Sequence, residues 1–116
     1  FVLWQIHPWS AMSYCYEIFK SNRDILERRL AVELLRVVAD RRALVWVEEF
    51  LRDDEDEQVQ MWGAGILDQL LWSALIEPEE AENLIQMAER HPNEHVRETG
   101  RFIREFLGVR YGADEG

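Results

Sequence analysis

Apolar residues recur along this chain at steps of three and four, and strict alternation never lasts long enough to build a strand. The pattern therefore predicts an all-α fold of about six helices. A first helix is expected from about Trp9 to Lys20, just after His7-Pro8, ending near Ser21-Asn22, residues that suit a turn and the next N-cap. The second, from about Asp24 to Ala39, carries Leu26, Leu30, Leu34 and Val37 as its core-facing stripe. The third, from Arg41 to Leu51, turns Leu44, Val47, Phe50 and Leu51 inward. It ends in an acidic turn, Asp53 to Asp56, where Asp54 and Glu57 have the spacing of a capping box. A fourth helix, about Glu57 to Ser73, brings Val59, Trp62, Ile66, Leu67, Leu70 and Leu71. Pro78 fits the first turn of a fifth, Glu79 to Arg90, where its missing N–H is no loss. His91-Pro92-Asn93 reads as a turn with Asn93 as N-cap of a sixth helix, Glu94 to Leu107. Gly108 is expected to stop that helix, leaving 108–116 as a C-terminal tail, frayed and acidic from Tyr111 to Gly116.

Shifting the chain against itself by 37 residues aligns two segments without a gap. Leu44, Val47, Phe50 and Leu51 fall on Ala81, Leu84, Met87 and Ala88, while Val59, Gly63, Ile66 and Leu70 fall on Val96, Gly100, Ile103 and Leu107. Glu57 falls on Glu94. The coincidence of Gly63 with Gly100 is the informative pair. Glycine inside a helix costs ~1 kcal/mol against alanine and usually marks close packing of backbones.

Val96-Arg97 with Gly100 and Ile103, and more loosely Val59, Gly63, Ala64, Ile66 and Leu67, resembles the second helix of a HEAT repeat, a family of antiparallel helix pairs. Gln60 stands where that family prefers Arg, and Asp53 to Asp56 sit where its inter-helix Asp lies. With a degenerate earlier unit read in Leu26, Leu30, Leu34 and Val37, the resemblance covers about residues 24–107. It implies one helical-repeat domain over 1–107, a short HEAT-like α-solenoid of stacked hairpins. Its units fall at about 41–73 and 79–107, with the degenerate one at about 9–39.

At 116 residues the chain suits a single core. Its 23 acidic and 13 basic residues leave a net charge of -10, a field that repels phosphate backbones and anionic headgroups. Nucleic acid and membrane surfaces are accordingly not expected as partners. Cys15 is the only cysteine, which rules out an internal disulfide and suggests a reducing compartment, the cytoplasm. Apolar runs such as Ala43 to Val47 are far shorter than the ~20 residues of a membrane span, and no signal-peptide pattern occurs. The chain starts at Phe1 and not Met, which is expected of a piece of a longer protein and leaves room for a preceding segment. All the basic residues but Lys20 are Arg, which hints at a GC-rich bacterial genome.

Catalytic and metal-binding constellations are not expected. His91 and His95 stand four apart, yet Pro92 and Asn93 put His91 outside the helix, and no Cys ligand is near. Cys15, Ser10, Ser13 and Ser73 have no nucleophile motif around them, and Cys15, between Tyr14 and Tyr16, reads as a small buried hydrophobe. Gly63-Ala64-Gly65 lacks the strand and loop of a phosphate site, and the acidic turn lacks the central Gly of a calcium loop. No metal and no cofactor follow.

Two candidate contact surfaces remain. The acidic run is either a solvated helix end or a docking patch for a basic protein, in which case Asp53, Glu55 and Asp56 would face the partner. On the fourth helix, Met61, Gly65, Asp68 and Trp72 lie on the flank beside the core positions, and Trp and Met are enriched at protein interfaces. The expected function is a non-catalytic protein-binding module, in its most specific form an acidic, immunity-type antagonist that blocks a basic protein. A scaffold fragment of a longer repeat protein is the first alternative. A helical-repeat enzyme, such as a cofactor-attaching lyase, is the second.

Overall fold

Asp or Asn opens every second helix of the molecule, and these caps set the register of the fold. A computed structural model describes residues 8–21, 23–53 and 56–112. In it α1 spans Pro8–Ser21, α2 Ile25–Val38, α3 Leu44–Leu51 after a 3-10 turn at Arg41–Ala43, α4 Glu57–Trp72, α5 Pro78–Glu89 and α6 Glu94–Gly112. No strand occurs among the described residues. Hairpins α1/α2, α3/α4 and α5/α6 stack in chain order, with α2, α4 and α6 packed side by side as one layer.

The N-caps are Asp24 for α2, Asp56 for α4 and Asn93 for α6. Asp54, expected to cap α4, lies outside the described residues; the cap is Asp56, whose Oδ1 accepts from the Gln58 N–H at 3.0 Å. Asp56 and Asn93 are themselves 37 residues apart, so the repeat extends to the caps. Each also reaches back to the preceding inner helix. Asp56 takes Arg29 of α2 at 2.8 Å, and the Asn93 amide donates to the Glu57 carbonyl and to Gln60 Oε1 in the first turn of α4. Arg97 straps the next turn by donating to the carbonyls of His91 and Pro92 at 2.8 and 2.9 Å. Gln60, in the equivalent place, donates to the Asp53 carbonyl. A shorter amide therefore does for one turn what the guanidinium does for the other.

The paired glycines sit at the two hairpin crossings. A Cβ on Gly63 would lie 2.7 Å from Phe50 Cβ, and one on Gly100 would lie 2.9 Å from the Glu89 backbone nitrogen. Phe50, Leu51, Ile66, Leu67, Leu70 and Ile85 fill the centre, and Phe19 meets Phe50 edge-on at 4.9 Å, the arrangement ring quadrupoles favour.

Two expectations need correction, and one residue is placed more closely. On α2 the buried residues are Ala31, Val32 and Leu35, whereas Leu26, Leu30 and Val37 are exposed by 72, 53 and 64%. α2 lies against both α1 and α4, which cover its Ala31, Val32 and Leu35 face; of the expected stripe only Leu34 packs against the core, half-buried. Gly108 does not end α6, which continues to Gly112. Arg110, two residues further on, donates to the carbonyls of Leu71 and Trp72 at 3.0 Å each and holds that last turn in place. His91, read from the sequence only as lying outside the helices, is buried in the turn. Its Nε2–H donates to the Leu51 carbonyl at 2.6 Å and its Nδ1 accepts from the Asn93 N–H at 3.0 Å, so both ring nitrogens serve the turn.

Candidate functional site

Helical spacing puts Met61, Gly65, Asp68 and Trp72 on the side of α4 opposite its buried stripe, and α6, lying alongside, completes a groove there. Trp72 is 55% exposed. Its ring stacks on Phe102 at 6.1 Å and meets Phe106 edge-on at 5.1 Å. With Glu105, Val109 and Arg110 these rings line a cavity of about 390 Å³. The Arg110 guanidinium covers Trp72 at 5.6 Å while capping the end of α4, so the rings are already paired with a cation of the fold. Met61 and Asp68 open onto a second cavity, of about 290 Å³, with His95, Glu98, Thr99 and Phe102. Phe102 lines both, so the two cavities are neighbours along the seam between α4 and α6.

Within this groove Asp68 stands apart electrostatically. Its Oδ1 is buried with no hydrogen-bond partner, and burial raises its carboxyl above the usual carboxylate range. On the α2 side, Arg36 crosses Gly65, its Cδ 3.1 Å from where a Cβ would stand, and its Nε also lacks a partner. A donor toward the α2 side of α4 and an acceptor toward its α6 side are thus left without partners.

The acidic run is placed otherwise. Asp56 is 2% exposed and ion-paired with Arg29. Asp53 pairs with Arg28 at 2.9 Å and accepts from the Asp56 N–H at 3.0 Å. Both carboxylates are engaged at the joint between α2 and α4. Glu55 lies outside the described residues, as do Trp4 and His7. A cavity of about 650 Å³ beside this joint is lined by Lys20, Arg23, Arg28 and Arg52. Lys20, Arg28 and Arg52 are paired with Glu49, Asp53 and Glu48, so those three charges are answered locally.

Sequence reasoning missed Phe102 and Val109, because α6 was read for its buried stripe alone. Phe102 adjoins Ile103 on that stripe, and a large aromatic one step off a core stripe was the available signal. Trp9 and Trp46, by contrast, pair with each other at 5.6 Å, and Trp46 continues onto Tyr16 at 4.6 Å, so these two tryptophans are engaged within the fold.

Cys15 is buried in α1, and burial pushes its thiol up to about 11. The thiolate is the reactive species. A titration with an aromatic disulfide reagent near pH 8 should therefore leave it unmodified in the folded protein and modify it fully in denaturant; fast reaction in the native state would contradict this packing. No group of three metal-ligating side chains comes together among the described residues, and no helix there is long and apolar enough to cross a membrane. Set beside family models, curated proteins and solved structures, the chain matches none of them.

Proposed function

We propose that this chain is a non-catalytic protein-binding module that works through the open side of α4 and α6, as an acidic antagonist that occupies and blocks a basic protein. The observation that carries this reading is the groove built on Trp72 and Phe102. Each ring is about half exposed, and half-exposed aromatics in a concave apolar site are what interface anchors look like. The net charge of -10 adds long-range attraction for a basic partner and speeds encounter. Cytoplasmic residence suits the single reduced thiol, and the Arg-rich usage suits a bacterial source.

Trp72→Ala is expected to weaken binding of the partner recovered from the native host by ~2 kcal/mol or more, chiefly through faster dissociation. Its far-ultraviolet circular dichroism should stay unchanged. Surface plasmon resonance with that partner tests this. Unaltered dissociation would remove Trp72 from the interface and, with Phe102→Ala equally silent, would sink the reading.

A scaffold reading stands second, supported by the exposed stripe Leu26, Leu30 and Val37 on α2. Such a face suits a further helical unit stacked in line. An open reading frame that continues in further repeats would favour it.

A further inference from the structure

We propose that the groove between α4 and α6 receives a basic amphipathic helix, which sets a Lys or Arg against Asp68 and, one turn on, an apolar side chain into the cavity beside Trp72 and Phe102. This deepens the protein-binding reading above and rests on it.

The case is geometric first. Asp68 and Trp72 are four residues apart on one face of α4, so the cation site and the apolar site are separated by about 6 Å along the helix axis. A partner helix lying along α4 meets them with residues i and i+4. From Met61 to Trp72 the groove runs roughly 16 Å, the length of about eleven helical residues. An extended strand has no counterpart here, because no sheet edge exists among the described residues to pair with its backbone.

Charge selects the sign of the partner. Asp68, Glu98 and Glu105 line the two cavities, with His95 and Arg110 as the other ionisable groups. Arg110 is engaged with the Leu71 and Trp72 carbonyls. Asp68 has an oxygen that no group of the fold satisfies. A partly buried carboxylate with one oxygen left without a donor is unfavourable in the free protein and gains from a cation brought to its open edge. Burial of Asp68 raises its carboxyl, so its contribution to stability is complete below the unfolded value near ~4 and is lost as pH rises through the folded one. A neutral amide in its place should therefore stabilise the free protein at neutral pH.

The test uses the full chain and labelled helical peptides of about fourteen residues. One carries Arg and Leu at i and i+4, a second has Glu for each Arg, and a third shuffles the first so that its two faces are mixed. Fluorescence anisotropy should show the Arg–Leu peptide binding at least about tenfold tighter than the shuffled one, and no binding of the Glu peptide. Asp68→Asn should weaken that binding by about tenfold while raising the thermal midpoint, a combination that a purely structural carboxylate does not produce. Phe102→Ala should weaken it to a similar degree.

Equal binding of the Arg–Leu and shuffled peptides, or wild-type binding by Asp68→Asn, would overturn the inference in favour of diffuse charge attraction. Failure of every peptide to bind would overturn it as well. Loss of the native partner on Trp72→Ala would then show that the broader reading survives with an occupant of other chemistry.

Discussion

Asp56→Ala is expected to destabilise the protein by about 3 kcal/mol, the sum of a lost N-cap and a lost charge-assisted pair at a buried site. The carboxylate receives the Gln58 N–H at the start of α4 and the Arg29 guanidinium from α2, and it is 2% exposed. Its removal therefore leaves a helix start and an arginine unanswered together. Asp56→Asn separates the two contributions, because Asn caps a helix as well as Asp does but offers Arg29 no charge; about half of the loss should return. Urea titrations at constant m-value measure both.

The same group shapes the acid limb. Burial on its own would raise the Asp56 carboxyl, but Arg29 and the first-turn amides of α4 outweigh burial and hold it below the usual carboxylate range. Its stabilisation is therefore fully present above the unfolded value near ~4 and is lost as pH falls through the lower folded value. Asp56→Ala should lack that part of the acid-induced loss, so its deficit against wild type narrows as pH drops below about 4. A deficit that stays constant down to pH 2 would show that the carboxylate is not held by Arg29.

Three glycine-to-alanine changes in the same fold should differ in sign. At Gly100 the new Cβ would stand 2.9 Å from the Glu89 nitrogen and 3.1 Å from the Ala88 carbonyl carbon, both backbone, so α5 and α6 must separate. Overpacking of that kind costs about 1 to 3 kcal/mol and outweighs the ~1 kcal/mol that alanine gains in helix propensity. Gly63→Ala meets Phe50 Cβ at 2.7 Å and should lose stability similarly. Gly108 has nothing within 4 Å of the added atom, and alanine there should stabilise by up to ~1 kcal/mol. Thermal melts of the three variants, read beside wild type, check the order. Stabilisation by Gly100→Ala would mean that the hairpin crossing is looser than described.

Much of the fold was legible along the chain because helix signals are local. Helix starts, the turn at Pro92, and the 3.6-residue stripes of α3 and α4 all depend on residues within a turn or two of each other. The 37-residue offset added the hairpin pairing, since a glycine recurring at equal spacing marks a recurring crossing. The same offset would have identified Asp56 as the cap, through its alignment with Asn93, and in doing so would have turned that carboxylate inward.

By itself, then, the sequence determined an all-α chain, its helix order, its repeat, and the flank of α4 that carries Met61, Asp68 and Trp72. Only the tertiary structure decided which side of each helix meets water. On α2 a stripe of leucines and a stripe of Ala31, Val32 and Leu35 both have helical period, and periodicity alone favours the larger residues. The face that α1 and α4 both cover is the one with Ala31, Val32 and Leu35, and only the placement of those two helices against α2 decides it. Phe102 likewise became part of the groove through α6 lying against α4, and Asp53 and Asp56 became part of the fold through arginines more than twenty residues earlier. Burial and ion pairing between distant segments depend on how helices are placed in space, and a linear pattern of polar and apolar residues does not encode that placement.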